Sequence, residues 1–288
     1  MTRTTAFSGL PRIDSHQHFW KVSRGDYHWM TPDMTVLRRD YLPEQLQPDL
    51  NREAIGYTVL VQAAPTEAEG EFLLELAQRH AFIAGVVVWL DMEQPDFPER
   101  LATWARRPKF VGVRPMIESH PDEAWMLRPT VQAAFQALET SGTCFDFLIQ
   151  PRHLLPALTV LERFPRLRAV VDHIAKPDIR SGQWHPWCDL MARVAEHRSV
   201  YCKLSGMITE ADHHLWKPEQ LRPYLTQVVS RFSLERVMFG SDWPVCLLAG
   251  DYSRVIQALR EALGALSPAQ EQAVFGGNAA AFYRLKLG

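Results

Sequence analysis

"IGYTVLVQAAPTEAEGEFLLELAQRHAFIAGVVVWL" (residues 55–90) holds the fold in miniature. Its first eight residues (55–62) are an apolar run, as is "FIAGVVVWL" at 82–90. Continuous apolar runs of this length, rich in Val and Ile, are the signature of strands buried on both faces. Between them "EAEGEFLLELAQRH" (67–80) carries a helical pattern. Strand, helix and strand in this order imply two parallel strands joined by a right-handed crossover.

The same unit recurs outward from this stretch. Further strand-like runs are "RIDSHQHF" (12–19), "FVGVRPM" (110–116), "CFDFLIQ" (144–150), "LRAVVDHI" (167–174), "SVYCKLSG" (199–206) and "RVMFGSDW" (236–243). Helical patterns follow at 128–142 and at 153–165, the latter stopped by Pro165, and "AAAFYRL" reads as a terminal helix. Eight strand–helix units in 288 residues predict one α/β domain over 1–288, a distorted (β/α)8 barrel with its active site at the C-terminal strand ends. An open doubly wound sheet is the alternative, but no GxGxxG motif follows any strand.

Composition narrows the class. Thirty-one basic residues against 33 acidic ones give a formal charge of −2, which favours neither nucleic acid nor an anionic membrane as partner. The start, "MTRTTAFSGLPR", has no apolar signal-type core, and the longest apolar run is too short to span a bilayer. Cys144, Cys188, Cys202 and Cys246 form no CxxC pair and read as free thiols, so a cytoplasmic location is expected. A small molecule is the expected partner, and self-association stays open.

The polar residues at the strand ends carry the chemistry. His16 and His18 end the first run, Arg114 the fourth, Gln150 the fifth, His173 the sixth, Ser205 the seventh and Asp242 the eighth. Each has a bland explanation: a helix cap for Asp242, a rim ion pair for Arg114, a hydrogen-bonded core histidine for His173. Convergence from six strands on one barrel mouth argues for a site. Within the first strand, alternation puts Asp14, His16 and His18 on one face and Ile13, Ser15, Gln17 and Phe19 on the other.

"DSHQHFW", "GVRP", "VVDHIAKPDI", "CKLSG", "FGSDWPV" and the C-terminal "GGNAAAFYRL" together resemble the amidohydrolase superfamily. More narrowly, they and "DYHWM" with "LRRDYLPEQL" resemble its sugar-lactonase-like branch. The resemblance implies a hydrolase that opens a sugar-acid lactone of the L-fucono or L-rhamnono kind. Asp242 would take a proton from water, His16, His18 and His173 would polarise the carbonyl, and Arg114 would stabilise charge. Gln150, Ser205 and Lys176 would bond sugar hydroxyls, and Trp20, Trp29 and Trp243 would pack on the ring. Metal-dependent members resemble one another in a fifth-strand ligand. Gln150, a poor zinc ligand, stands at that position, with His153 three residues on at the start of the next helix. The expectation is therefore that no cofactor is required, with a weakly held zinc at His16, His18 and Asp242 as the exception. Two other readings stay open: a metal-dependent decarboxylase of the same superfamily, and a non-catalytic barrel that binds a sugar acid.

Overall fold

The computed structural model describes residues 11–288; the first ten residues, most of the stretch read for a signal peptide, lie outside the described part. Eight strands and ten helices follow one another: β1 (Arg12–Gln17), α1 (Pro43–Arg52), β2 (Ile55–Val61), α2 (Glu67–Arg79), β3 (Ile83–Val88), α3 (Phe97–Trp104), β4 (Phe110–Val113), α4 (Pro129–Ser141), β5 (Cys144–Phe147), α5 (Leu154–Arg163), β6 (Ala169–Val171), α6 (Trp187–Glu196), β7 (Val200–Leu204), α7 (Pro218–Phe232), β8 (Val237–Phe239), α8 (Tyr252–Leu263), α9 (Pro268–Gln272) and α10 (Asn278–Tyr283). The strands form one parallel sheet in chain order, β1 to β8. The ring closes at its mouth, where His18 N–H donates to the Trp243 carbonyl (2.7 Å) and Asp242 N–H to that of His16 (2.8 Å). This is the expected (β/α)8 barrel.

The strands are shorter at their C-terminal ends than the apolar runs suggest. β6 ends at Val171 rather than 174, and β8 at Phe239 rather than 243. Beyond these ends the chain leaves the ladder, and His173, Lys176 and Asp242 line the mouth. Inside the barrel, Ile13, Val59, Val61, Val87, Val170 and Met238 pack with Phe282 and Tyr283 of α10, so the C-terminal helix closes the bottom of the barrel. Helices α1 to α8 each bury one stripe, as in α8 with Val255, Ile256, Leu259 and Ala262.

The alternation expected along β1 fails at one point. The pairing of β1 with β2 shifts register between Asp14 and Gln17. Ile13 and His16, three residues apart, both face the barrel interior, as across a β-bulge. Asp14 therefore does not share a face with the two histidines. Its carboxylate accepts from the Tyr252 hydroxyl of α8 (3.0 Å), from Ser241 N–H (2.9 Å) and from His16 N–H (3.1 Å), tying β1 to β8 and to the outer helix layer. Burial pushes this carboxyl up to about 6 against those hydrogen bonds.

Candidate active site

A cavity of about 420 Å³ opens at the C-terminal strand ends. His18, Arg114, Gln150, His173, Lys176, Trp29 and Asp242 all line it. The other expected site residues lie behind its wall. Ser205, fully buried, stands 2.8 Å from His173 Nδ1 and holds that ring. His16 is fully buried below His18. Trp20 and Trp243 do not line the cavity: Trp20 packs edge-on against Trp29 and Tyr41 and donates to the Arg39 carbonyl, while Trp243 packs on Phe19 and Tyr41. Both are underlayer to the mouth, since the chain beyond β1 and β8 turns their rings into the apolar layer. His153 is buried with its Nδ1 accepting from Gln150 N–H (3.1 Å), so it caps the turn that precedes α5.

The chemistry gathers around Asp242 Oδ1. His18 Nε2 lies 3.3 Å from it, His16 Nε2 3.8 Å and His173 Nε2 3.9 Å. Burial works against the charge on Asp242, but His173, His18 and Lys176 hold its carboxyl below the ordinary carboxylate range. Burial pushes His16 and His173 well below the usual imidazole value, with the Lys203 ammonium reinforcing this at His16. Asp242 itself has φ +56°, and His173, Ile174, Ala175 and Lys176 all have φ between +48° and +61°. A left-handed turn of four non-glycine residues costs about 1–2 kcal/mol per residue. The turn carries His173 at its first position and Lys176 at its fourth into one cavity. Two glycines allow this crowding. A Cβ on Gly206 (φ +66°) would fall 2.7 Å from His173 Nδ1, and one on Gly240 would fall 2.7 Å from His16 Cβ.

Beneath the histidines lies a charged layer that the sequence reading missed. Lys203 of β7, wholly buried, has its Nζ 2.6 Å from Asp146 Oδ2, 2.9 Å from Asp172 Oδ1 and 3.0 Å from His16 Nδ1. The Tyr283 hydroxyl donates to Asp146 Oδ2 (2.7 Å). Arg114 reaches Asp172 Oδ2 (3.3 Å) and donates to the Gln62 carbonyl, while its buried Nε finds no acceptor among the described residues. Burial pushes Asp146 up to about 6, despite Lys203. Asp172 is equally buried, but Lys203 and Arg114 together hold it below the ordinary range. Lys203, Asp146 and Asp172 sit inside runs that read as apolar strands, and their charge was the one available signal. Glu118 and Glu210, which also line the cavity, had no signal in the sequence.

His16, His18 and Asp242 fit a divalent ion. Zinc ligands about 2.0–2.2 Å from the metal stand a little over 3 Å apart, and these three atoms are 3.2–3.8 Å apart. His18 Nδ1 faces the Val61 carbonyl at 2.8 Å, so it carries the hydrogen and leaves an Nε2 lone pair toward the site. Asp172 Oδ1, which the Lys203 ammonium also approaches, lies 3.5 Å from His16 Nδ1, and an N–H directed there would free His16 Nε2 in the same way. Lys203, 3.0 Å from the same nitrogen, favours the opposite tautomer while no ion is bound.

The amidohydrolase family pattern matches residues 13–285. An L-fucono-1,5-lactonase of Burkholderia ambifaria is 41% identical over 280 residues, covering 95% of this chain and 96% of the relative. One of Burkholderia multivorans is 37% identical, covering 96% and 97%. A crystal structure of a B. multivorans amidohydrolase with bound zinc superposes with a TM-score of 0.91 at 36% identity, over 96% of this chain and all of that one. The matched pattern spans every strand of the barrel and all the residues gathered at its mouth, and the chain belongs to the amidohydrolase family.

Proposed function

We infer that this protein is a hydrolase that opens the ring of a sugar-acid lactone, with an L-fuconolactone-type ring as its substrate. The observation that carries the reading is Asp242, held below the ordinary carboxylate range and set among three imidazoles at the floor of the cavity, in a chain 41% identical to an L-fucono-1,5-lactonase. Lactone hydrolysis needs a base for water and donors for the oxyanion. Asp242 takes a proton from water as its oxygen bonds to the carbonyl carbon. Arg114 and His173, which line the cavity beside Asp242, stabilise the oxygen that becomes negative. The ring C–O bond then breaks, and the departing alkoxide recovers the proton from Asp242. The products are a hydroxy acid and a free Asp242. A divalent ion held by His16, His18 and Asp242 supplies Lewis acidity toward the carbonyl when bound. Trp29, fixed by its indole N–H on the Ala63 carbonyl (2.7 Å), together with Met34 and Met116 offers apolar surface to ring C–H groups.

A panel of aldonolactones followed with a pH indicator tests this, with dicarboxylate lactones and amides as controls. Asp242→Asn should keep the fold and lose about 10²–10⁴-fold in kcat, the usual worth of a general base. Turnover of amides alone, or a near-normal Asp242→Asn enzyme, refutes the assignment.

A further inference from the structure

We propose that Glu118, Lys176 and Glu210 form a hydroxyl-reading clamp that selects neutral polyhydroxy lactones and turns away lactones bearing a carboxylate. This inference rests on the lactonase reading and concerns what the enzyme does with the part of the substrate remote from the carbonyl.

Lys176 Nζ lies 2.6 Å from Glu118 Oε2 and 3.4 Å from Glu210 Oε1, and all three side chains are between 22% and 23% exposed on the cavity wall. Each carboxylate spends one oxygen on the lysine and keeps the other, which has no partner among the described residues. An ammonium has three N–H donors, of which two are taken. The clamp therefore offers an acceptor, a donor and a second acceptor in a row. Neighbouring ring hydroxyls, each both donor and acceptor, complement that pattern. Bonds from hydroxyls to ionised carboxylates are among the stronger kinds. A carboxylated ring fares differently. Among the described residues the cavity wall carries two cationic side chains, Lys176 and Arg114, and both are already paired, Lys176 with two glutamates and Arg114 with Asp172. Neither is free to take a substrate carboxylate, which would instead meet the two glutamates. Burial and the neighbouring Glu118 raise the Glu210 carboxyl, and Lys176 opposes them in part.

The clamp is also coupled to the carbonyl end. Lys176 closes the left-handed turn that His173 opens, so hydroxyls held by the clamp set the position of the ring relative to His173. A site built to bond substrate hydroxyls rejects analogues lacking them far more strongly than an apolar pocket does.

The test compares three probes, L-fuconolactone, δ-valerolactone and 2-pyrone-4,6-dicarboxylate, on wild type, Glu118→Gln and Glu210→Gln. Wild type should favour the sugar lactone over the bare ring by about 10²-fold or more in kcat/KM, and should turn over the dicarboxylate least. Each substitution should cost the sugar lactone about tenfold or more, chiefly in KM, and cost the bare ring several times less. Both are near-isosteric, and circular dichroism checks that they fold. Equal losses on sugar and bare lactones would show a structural role and overturn the inference, as would a wild type that hydrolyses the dicarboxylate as fast as the sugar lactone; the latter comparison needs no variant. A wild type inert on every lactone overturns the lactonase reading, and the clamp with it. An active wild type whose selectivity survives both substitutions overturns the clamp alone.

Discussion

Replacing Lys203 with methionine tests the account of the barrel interior most directly. The side chain is fully buried, and its ammonium stands within 3.0 Å of Asp146, Asp172 and His16. Methionine keeps much of the volume and removes the charge. Breaking one partner of a buried ion pair costs about 3–5 kcal/mol, because the other charge is left without compensation. Two carboxylates lose their partner here, but the Tyr283 hydroxyl still serves Asp146 and Arg114 still serves Asp172. The loss should therefore sit inside that range, on the order of a 10 °C fall in Tm for a chain of this size. The pH dependence carries the sharper signature. Without Lys203 both carboxyls favour their protonated forms in the folded state, and Asp146 is already pushed up to about 6 with the lysine present. The native protein then binds more protons than the unfolded chain, so stability falls as pH rises from the ordinary carboxylate range through the raised values. Urea unfolding at pH 5 and pH 8 should show a deficit against wild type that is clearly larger at pH 8. Adding Asp146→Asn to Lys203→Met should recover part of it. A deficit below about 1 kcal/mol, or one that is the same at both pH values, would falsify the claim that Lys203 neutralises this layer.

Other outcomes follow from the same geometry. Gly206→Ala should fold but lose about tenfold or more in kcat, since its Cβ would press on His173 and its φ of +66° suits glycine; a kinetic and melting comparison checks both effects. His18→Ala should lower the zinc content of the purified protein and weaken zinc affinity at least about tenfold, whereas Arg180→Ala, at an exposed position, should leave it unchanged; elemental analysis with a competition titration reads the difference. Glu69 is buried and pushed up to about 8 from 4.5, chiefly by desolvation, with the Ala63 and Ala64 N–H groups opposing. Its folded form keeps a proton that the unfolded chain releases, so its contribution to stability declines as pH rises through that window. Glu69→Gln should flatten the fall of Tm between pH 5 and pH 8, and an unchanged slope refutes that role.

The barrel and most of its mouth were legible in the linear sequence. Alternation of apolar runs with amphipathic stretches is a local property, and the β-branched content of "IGYTVLVQ" and "FIAGVVVWL" marks them as strands. Once eight of them are parallel in chain order, the polar residues at their ends converge, and His18, Arg114, Gln150, His173, Lys176, Trp29 and Asp242 do share one cavity. What stayed hidden depends on partners distant in sequence. A bulge in β1 sends Asp14 outward to Tyr252, 238 residues away, and strict period-two counting has no means of finding it. Trp20 and Trp243 follow strand ends as expected of mouth residues, yet the direction of the chain beyond each strand buries them. Lys203 and Asp146 stand alone in otherwise apolar strands, and burying either without a partner is costly; only the folded barrel sets them 2.6 Å apart across 57 residues. Periodicity specifies which residues are buried, but the compensation of a buried charge is a pairwise property of the closed barrel, and that is what the tertiary structure decided.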